Sequence, residues 1–135
     1  MSVAASDYTP PAPSHPLHGT WKMIRAELAG EPAHPLLVDN TTVELTLDRY
    51  TVRYDGEIAD RGRYTFTLGE LHHHLMLHGV EGPNAGRAIP AIFQRKGELL
   101  RICYGLDGSA PAAFASPPGS QLYLVTYRRK ERDGF

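Results

Sequence analysis

The stretch Gly62-Arg63-Tyr64-Thr65-Phe66-Thr67-Leu68 decides the fold. Tyr64, Phe66 and Leu68 alternate with Arg63, Thr65 and Thr67, the clearest period of two in the chain. Successive side chains of a strand point to opposite faces, so this pattern predicts a strand with one face in an apolar core and the other in water. No segment carries ten or more residues of clean 3.6-residue periodicity, so helices are not the main element.

Outward from this strand the same chemistry recurs. Runs rich in Val, Leu, Ile, Thr, Tyr and Phe occupy 20–28, 42–47, 50–54, 62–68, 73–77, 88–94, 99–104 and 121–128, and these residue types favour strands. Turn formers separate them: Asp55-Gly56, Gly82-Pro83-Asn84, Lys96-Gly97-Glu98 and a longer connection over 105–119. Gaps this short join antiparallel neighbours, because a parallel pair needs a crossover of about a dozen residues. Residues 30–39 have room for one helical turn, limited by Pro32 and Pro35. Eight antiparallel strands of similar length predict an all-β, eight-stranded up-and-down barrel, since closure removes exposed edges. A two-sheet sandwich is the structural alternative. The expected organisation is an arm over 1–16, rich in Pro, Ser and Ala, then the barrel over 17–130, then a flexible tail over 131–135.

Composition narrows the function classes. The chain of 135 residues is 41% apolar and 21% charged, with a formal net charge of -1, enough for one domain with its own core. The longest basic run, at 128–132, is interrupted by Glu131, which argues against nucleic acid or an anionic membrane as partner. No apolar stretch approaches the ~18 residues of a membrane span, and the first residues lack the pattern of a signal peptide. A cytoplasmic protein is the expectation. The single Cys103 permits no internal disulfide and reads as a small buried hydrophobe.

Gly19-Thr20-Trp21-Lys22 opens the first strand and resembles the Gly-x-Trp signature of lipocalin and fatty-acid-binding barrels. The resemblance implies that Trp21 plugs the closed end and that Arg128 or Arg129 packs across it, a sensible cation–π contact. A closer likeness spans nearly the whole barrel. It runs through Gly30-Glu31-Pro32, Gly62-x-Tyr64, Glu81-Gly82-Pro83-x-x-Gly86-Arg87 and Leu100-x-Ile102-Cys103-Tyr104. In order and spacing these resemble a family of bacterial lipocalin-like domains first catalogued from planctomycete genomes, a family without an assigned activity. The chain departs from it at Ala110-Pro111, where members often carry Arg-Pro. The likeness implies a fold and no chemistry.

With Trp21 inward, strict alternation places Met23, Arg25 and Glu27 inward as well, and Lys22, Ile24 and Ala26 outward. Val43, Leu45 and Leu47 form one inward set. Tyr50, Val52 and Tyr54 form another, followed by Tyr64, Phe66 and Leu68, then Leu75 and Leu77, Phe93, and Leu100, Ile102 and Tyr104. On the last strand Leu122 with Leu124, and Tyr123 with Val125 and Tyr127, are both acceptable inward sets. The expected site is an aromatic-lined cavity with Arg25 and Glu27 toward its mouth and Tyr64, Phe66, Phe93 and Tyr104 along its wall. The plainer alternatives are an Arg25–Glu27 pair that only satisfies itself at the rim, and an interior filled by its own rings.

His72, His74 and His78 share one strand face, a spacing that can chelate a transition metal or supply an axial ligand to haem. Leu75 and Leu77 claim the inward face, which sends these three outward as a solvated patch and leaves His73 inward. No third ligand with supporting contacts is evident, so no metal is assigned. Asp55-Gly56-Glu57 with Asp60 reads as an acidic hairpin tip, since the regular spacing of a calcium loop is missing. Gly82-Pro83-Asn84-Ala85-Gly86 precedes a strand and so is no phosphate loop. Ser116 and Ser120 lack a nucleophile motif.

Three functions follow. The leading one is a binding protein that sequesters or carries a small hydrophobic molecule and needs no cofactor, with Arg25 orienting a polar end. The second is a cyclase or isomerase that folds a hydrophobic substrate into a reactive shape, with Glu27 or His73 in acid–base roles. The third is an interaction module with a filled barrel, working through its outer face or as a homodimer.

Overall fold

The computed structural model describes residues 17–130. The arm at 1–16 and the tail at 131–135 lie outside the described residues. Among the described residues nine strands and one short helix follow in order: β1 (Gly19–Leu28), β2 (Glu31–Pro32), α1 (Pro35–Asn40), β3 (Thr41–Leu45), β4 (Arg49–Tyr54), β5 (Glu57–Thr67), β6 (His73–Glu81), β7 (Ala88–Lys96), β8 (Leu99–Gly105) and β9 (Leu122–Arg129). From β3 to β9 each strand pairs antiparallel with the next, and β1 pairs with both β3 and β9. The sheet therefore closes into an eight-stranded lipocalin-like barrel of β1 and β3–β9. This ring excludes the two-sheet sandwich.

β1 serves two neighbours along its length. Gly19–Lys22 pair with β3, whereas Glu27 and Leu28 pair with the two-residue β2. The gap this leaves beside β3 and β4 is filled by α1. His34 caps α1, its Nδ1 accepting the Leu36 N–H at 3.0 Å. Pro35 follows at the first turn, where its missing N–H costs nothing. Lys22 Nζ donates to the Val38 carbonyl at 2.9 Å and ties α1 to β1.

The closed end is built on Trp21, which is fully buried and donates from Nε1 to the Leu17 carbonyl at 2.9 Å. Arg129 and Arg95 lie over the indole at 4.6 Å and 5.4 Å from its centroid. Of the two arginines expected there, Arg129 makes the contact, while Arg128 is exposed. Phe66 meets Phe93 edge to face at 6.3 Å.

Several expected orientations are corrected by bulges and by early strand ends. The β1–β9 register shifts between Met23 and Arg25. The extra residue, Ile24, reverses the alternation beyond it, so Ala26 is buried while Arg25 is exposed. A bulge of this kind inserts one unpaired residue and re-aims everything that follows. Leu47 and Leu68 are 72% and 58% exposed because β3 and β5 end at Leu45 and Thr67, leaving both in turns.

The connection over 106–121 lies against the outside of β7 and β8. Ile92 and Cys103 face outward from neighbouring positions of β7 and β8 yet are fully buried beneath it. Phe114 packs under the Arg101 guanidinium at 4.3 Å, and Cys103 Sγ approaches the Ala115 carbonyl at 3.6 Å. Ser116 Oγ accepts the Gly30 N–H at 3.2 Å and donates to the Leu122 carbonyl at 2.8 Å. Buried β-strand faces on both sides of β7 explain its nearly continuous apolar run.

Candidate functional site

The interior encloses a cavity of about 550 Å³. Met23, Val43, Leu45, Leu75, Leu77, Ile89 and Ile102 supply most of its apolar wall. The barrel is not filled by its own side chains, because its wall residues alternate with outward-facing ones and eight strands enclose more space than these side chains occupy. The mouth lies away from Trp21 and is bordered by Leu37 of α1, Tyr54, Asn84, Arg87, Leu106 and Tyr123.

Tyrosines line one side. On β9 the inward set is Tyr123, Val125 and Tyr127, which resolves the two faces open in the sequence. The Tyr104 and Tyr127 hydroxyls meet at 2.9 Å, and the Tyr104 and Tyr123 rings lie 5.8 Å apart. Burial pushes the pKa of Tyr104 up, and the nearby Tyr123 and Tyr50 hydroxyls add to the shift against the opposing bond from Tyr127. Tyr127 is raised well above its ordinary value, by burial and then by Tyr104. Both phenols stay neutral and act as hydrogen-bonding groups in an apolar space.

Tyr50 sits below Asp60. Burial, reinforced by the negative charge of Asp60, pushes Tyr50 up to about 12. Its ring lies across Gly62: a Cβ there would come 2.8 Å from Tyr50 Cε2 and would overlap the His78 carbonyl oxygen. Glycine at 62 is thus required for the close approach of ring and strand.

Among the described residues Asp60 is the one carboxylate in the cavity wall, and it is 8% exposed. The alternation running back from Tyr64 through Gly62 brings it inward. A register shift between Val52 and Arg53, opposite Ala59, ends that alternation at the next residue. Asn84 Nδ2 donates to Asp60 Oδ2 at 2.9 Å, and Arg87 Nη1 donates to Asn84 Oδ1 at 3.0 Å. Arg87 Nη2 donates to the Leu106 carbonyl. Asp60 Oδ1 is buried and has no hydrogen-bond partner. The loop that carries Asn84 is folded tightly, with Gly79 donating to the Arg87 carbonyl and Gly86 to the Gly79 carbonyl at 3.0 and 2.9 Å.

The residues expected at the site divide. Tyr64 and Tyr104 line the cavity. Phe66 and Phe93 pack together toward the closed end and are not among its lining. Arg25 and Glu27 stand on the outer face of β1 beyond the bulge, so the polar mouth expected from them is not built there. His73 is also away from the cavity. Its ring lies 5.3 Å from that of Phe93, and its Nδ1 accepts the Gly69 N–H at 3.2 Å. His74 and His78 are exposed, as the outward face predicts. His72 is only half exposed: it packs on Phe114 at 5.7 Å and bonds the Ala112 carbonyl at 3.0 Å, so it clamps the outer connection.

Sequence reasoning missed Asp60, Asn84 and Arg87 as a group. In sequence Asp60 reads as part of a hairpin tip, although the Tyr64 alternation extended back by four residues turns it inward. Nothing local marks Asn84, which reaches Asp60 across 24 positions of sequence. Among the described residues no group of three or more His, Cys, Asp or Glu is placed to hold a metal ion. No helix among them is long and apolar enough to cross a membrane. Comparisons with known protein families, with curated proteins and with solved structures find no match for the chain.

Proposed function

We propose that the protein is a lipocalin-like binding domain that holds one small, largely hydrophobic molecule inside its barrel. The observation that carries this reading is the cavity of about 550 Å³ with its apolar wall. Pockets for small molecules span roughly 300–1,000 Å³ and combine such walls with a few polar groups. The Trp21–Arg129 pair at the closed end supports kinship with the lipocalin and fatty-acid-binding barrels. The polar end of the bound molecule is oriented by Asp60, Tyr50 and the Tyr104–Tyr127 pair, in place of Arg25. A cyclase or isomerase reading gave its acid–base work to Glu27 and His73, and neither borders the cavity.

Native mass spectrometry of the purified protein, followed by denaturing extraction, tests the proposal, together with titration of the neutral fluorophore N-phenyl-1-naphthylamine. The expected result is a stoichiometric bound molecule or saturable uptake of the fluorophore, lost in the cavity-filling variant Ile102→Trp. A bare mass with no saturable uptake overturns it.

A further inference from the structure

We infer that the cavity selects a molecule whose polar end is an organic ammonium group, seated against Asp60 within the tyrosine wall. The inference rests on the container reading above and names the chemistry of what is contained.

Asp60 carries the argument. A carboxylate this buried is costly unless it is paired or fully hydrogen-bonded. Here the nearby donors are both neutral, Asn84 on Oδ2 and the Tyr50 hydroxyl beside the carboxylate, and Oδ1 is left without a partner at hydrogen-bonding geometry. The salt bridges among the described residues engage Glu44, Glu81 and Glu98, and none involves Asp60. Arg87 borders the same mouth, but it is exposed and turned to the side. Its Nη1 is occupied by Asn84 and its Nη2 by the Leu106 carbonyl, so Asn84 stands between guanidinium and carboxylate. An orphaned buried acceptor in a native fold calls for an explanation, and a ligand that brings the opposite charge supplies one.

The surroundings of Asp60 fit a cation and disfavour an anion. Tyr50 lies beside it, and Tyr104, Tyr123 and Tyr127 continue the wall. Aromatic faces attract ammonium groups, most strongly where water is excluded. The raised pKa of these phenols keeps them uncharged, so they present π faces and hydroxyl acceptors to a cation. A carboxylate ligand would meet Asp60 as a like charge, and a neutral hydroxyl would donate one hydrogen bond to Oδ1 but leave its charge uncompensated, whereas an ammonium group supplies both. The hydrocarbon part of the molecule then lies along Leu75, Leu77 and Ile102, deeper in the barrel.

The test is displacement of N-phenyl-1-naphthylamine by three probes of one skeleton: 4-phenylbutylamine, 4-phenylbutanol and 4-phenylbutyrate. The amine is expected to bind at least about tenfold more tightly than the alcohol, a difference of about 1.4 kcal/mol, with the acid weakest. Asp60→Asn, of the same shape, is expected to weaken the amine by about tenfold and so to bring amine and alcohol within about threefold of each other. An alcohol or acid that matches the amine on the wild-type protein overturns the ammonium assignment and leaves the container intact. A preference for the amine that persists in Asp60→Asn overturns Asp60 as its anchor. Failure of the fluorophore and all three probes to bind overturns the container reading itself, and the inference with it. Should Asp60→Asn not fold, the wild-type ranking alone decides the ammonium assignment.

Discussion

Arg129 and Trp21 are direct partners across the β9–β1 seam, and the Arg129 guanidinium lies 4.6 Å from the centre of the indole ring. The pair joins the last strand to the first at the end of the barrel that excludes water. Arg129 also donates to the His18 carbonyl at 3.2 Å and faces Glu98 at 3.6 Å. Burial and the neighbouring Arg95 lower its pKa, with Glu98 opposing them, so its charge is held by these contacts at some cost.

Replacing Arg129 with Ala is expected to destabilise the fold by about 1–2 kcal/mol, chiefly through the lost cation–π contact. The exposed ion pair with Glu98 adds little. Arg128→Ala, one residue away on the exposed face, is expected to stay within about 0.5 kcal/mol of wild type. Urea denaturation followed by the fluorescence of Trp21, the single tryptophan, measures both. Equal losses would mean that the seam does not depend on the Trp21 contact.

Gly62 and Gly56 make a second contrast. Ala at 62 drives a methyl group into the His78 carbonyl and the Tyr50 ring. Backbone on one side and a buried ring on the other leave no room to yield, so a loss of about 3 kcal/mol or more is expected. Gly56 sits in a turn with φ of 86° and open space around it. Ala there costs only the left-handed conformation, about 1 kcal/mol. Thermal unfolding of the two variants ranks them, and a tolerated Ala at 62 would contradict the described packing of Tyr50.

The Tyr104–Tyr127 bond predicts coupled losses. Either Phe substitution leaves the other hydroxyl unpaired in its partly buried, apolar surroundings, at about 1–2 kcal/mol. The double variant should lose less than the sum, with a coupling of about 1 kcal/mol by double-mutant cycle. Additive losses would show that the hydroxyls do not depend on each other.

The buried tyrosines also set the alkaline limit of stability. Their pKa values are raised, so the unfolded chain releases these protons from about pH 10 while the native chain retains them. Where the unfolded state binds fewer protons, stability falls as pH rises. The contribution is therefore whole below about pH 10 and is lost upward through the folded values, of which Tyr50 stands at about 12. Ultraviolet absorbance of phenolate should rise in two steps, the later one coinciding with loss of circular dichroism. A single step near pH 10 with the fold retained would contradict this.

Cys103 reports on the outer connection. Its thiol is fully covered, and burial raises its pKa against the opposing influence of the Ala115 backbone and the charge of Arg101. Native protein should react slowly with a disulfide reagent, and Phe114→Ala should speed labelling by about tenfold or more by loosening the cover. Unchanged labelling would mean that Phe114 does not hold the connection in place.

The sequence by itself determined the eight strands of the barrel, their antiparallel order and most of the inward set, because those follow from a period of two and from short turns. Tyr64, Leu75, Leu77, Ile102 and Tyr104 face inward for that local reason alone. The resemblance of Gly19-Thr20-Trp21-Lys22 to the lipocalin and fatty-acid-binding signature also pointed to Trp21 and a late arginine at the closed end. Tertiary structure decided what lies at the polar end of the cavity. One bulge at Ile24 turned Arg25 and Glu27 outward, and no residue near them signals it, since a bulge depends on how β1 meets β9. Asp60 became a cavity carboxylate only through its partners, with Asn84 arriving from the far side of β6 and Tyr50 from the neighbouring strand. Alternation is a property of one strand, whereas a bulge, a buried charge and the space a barrel encloses are properties of strands brought together.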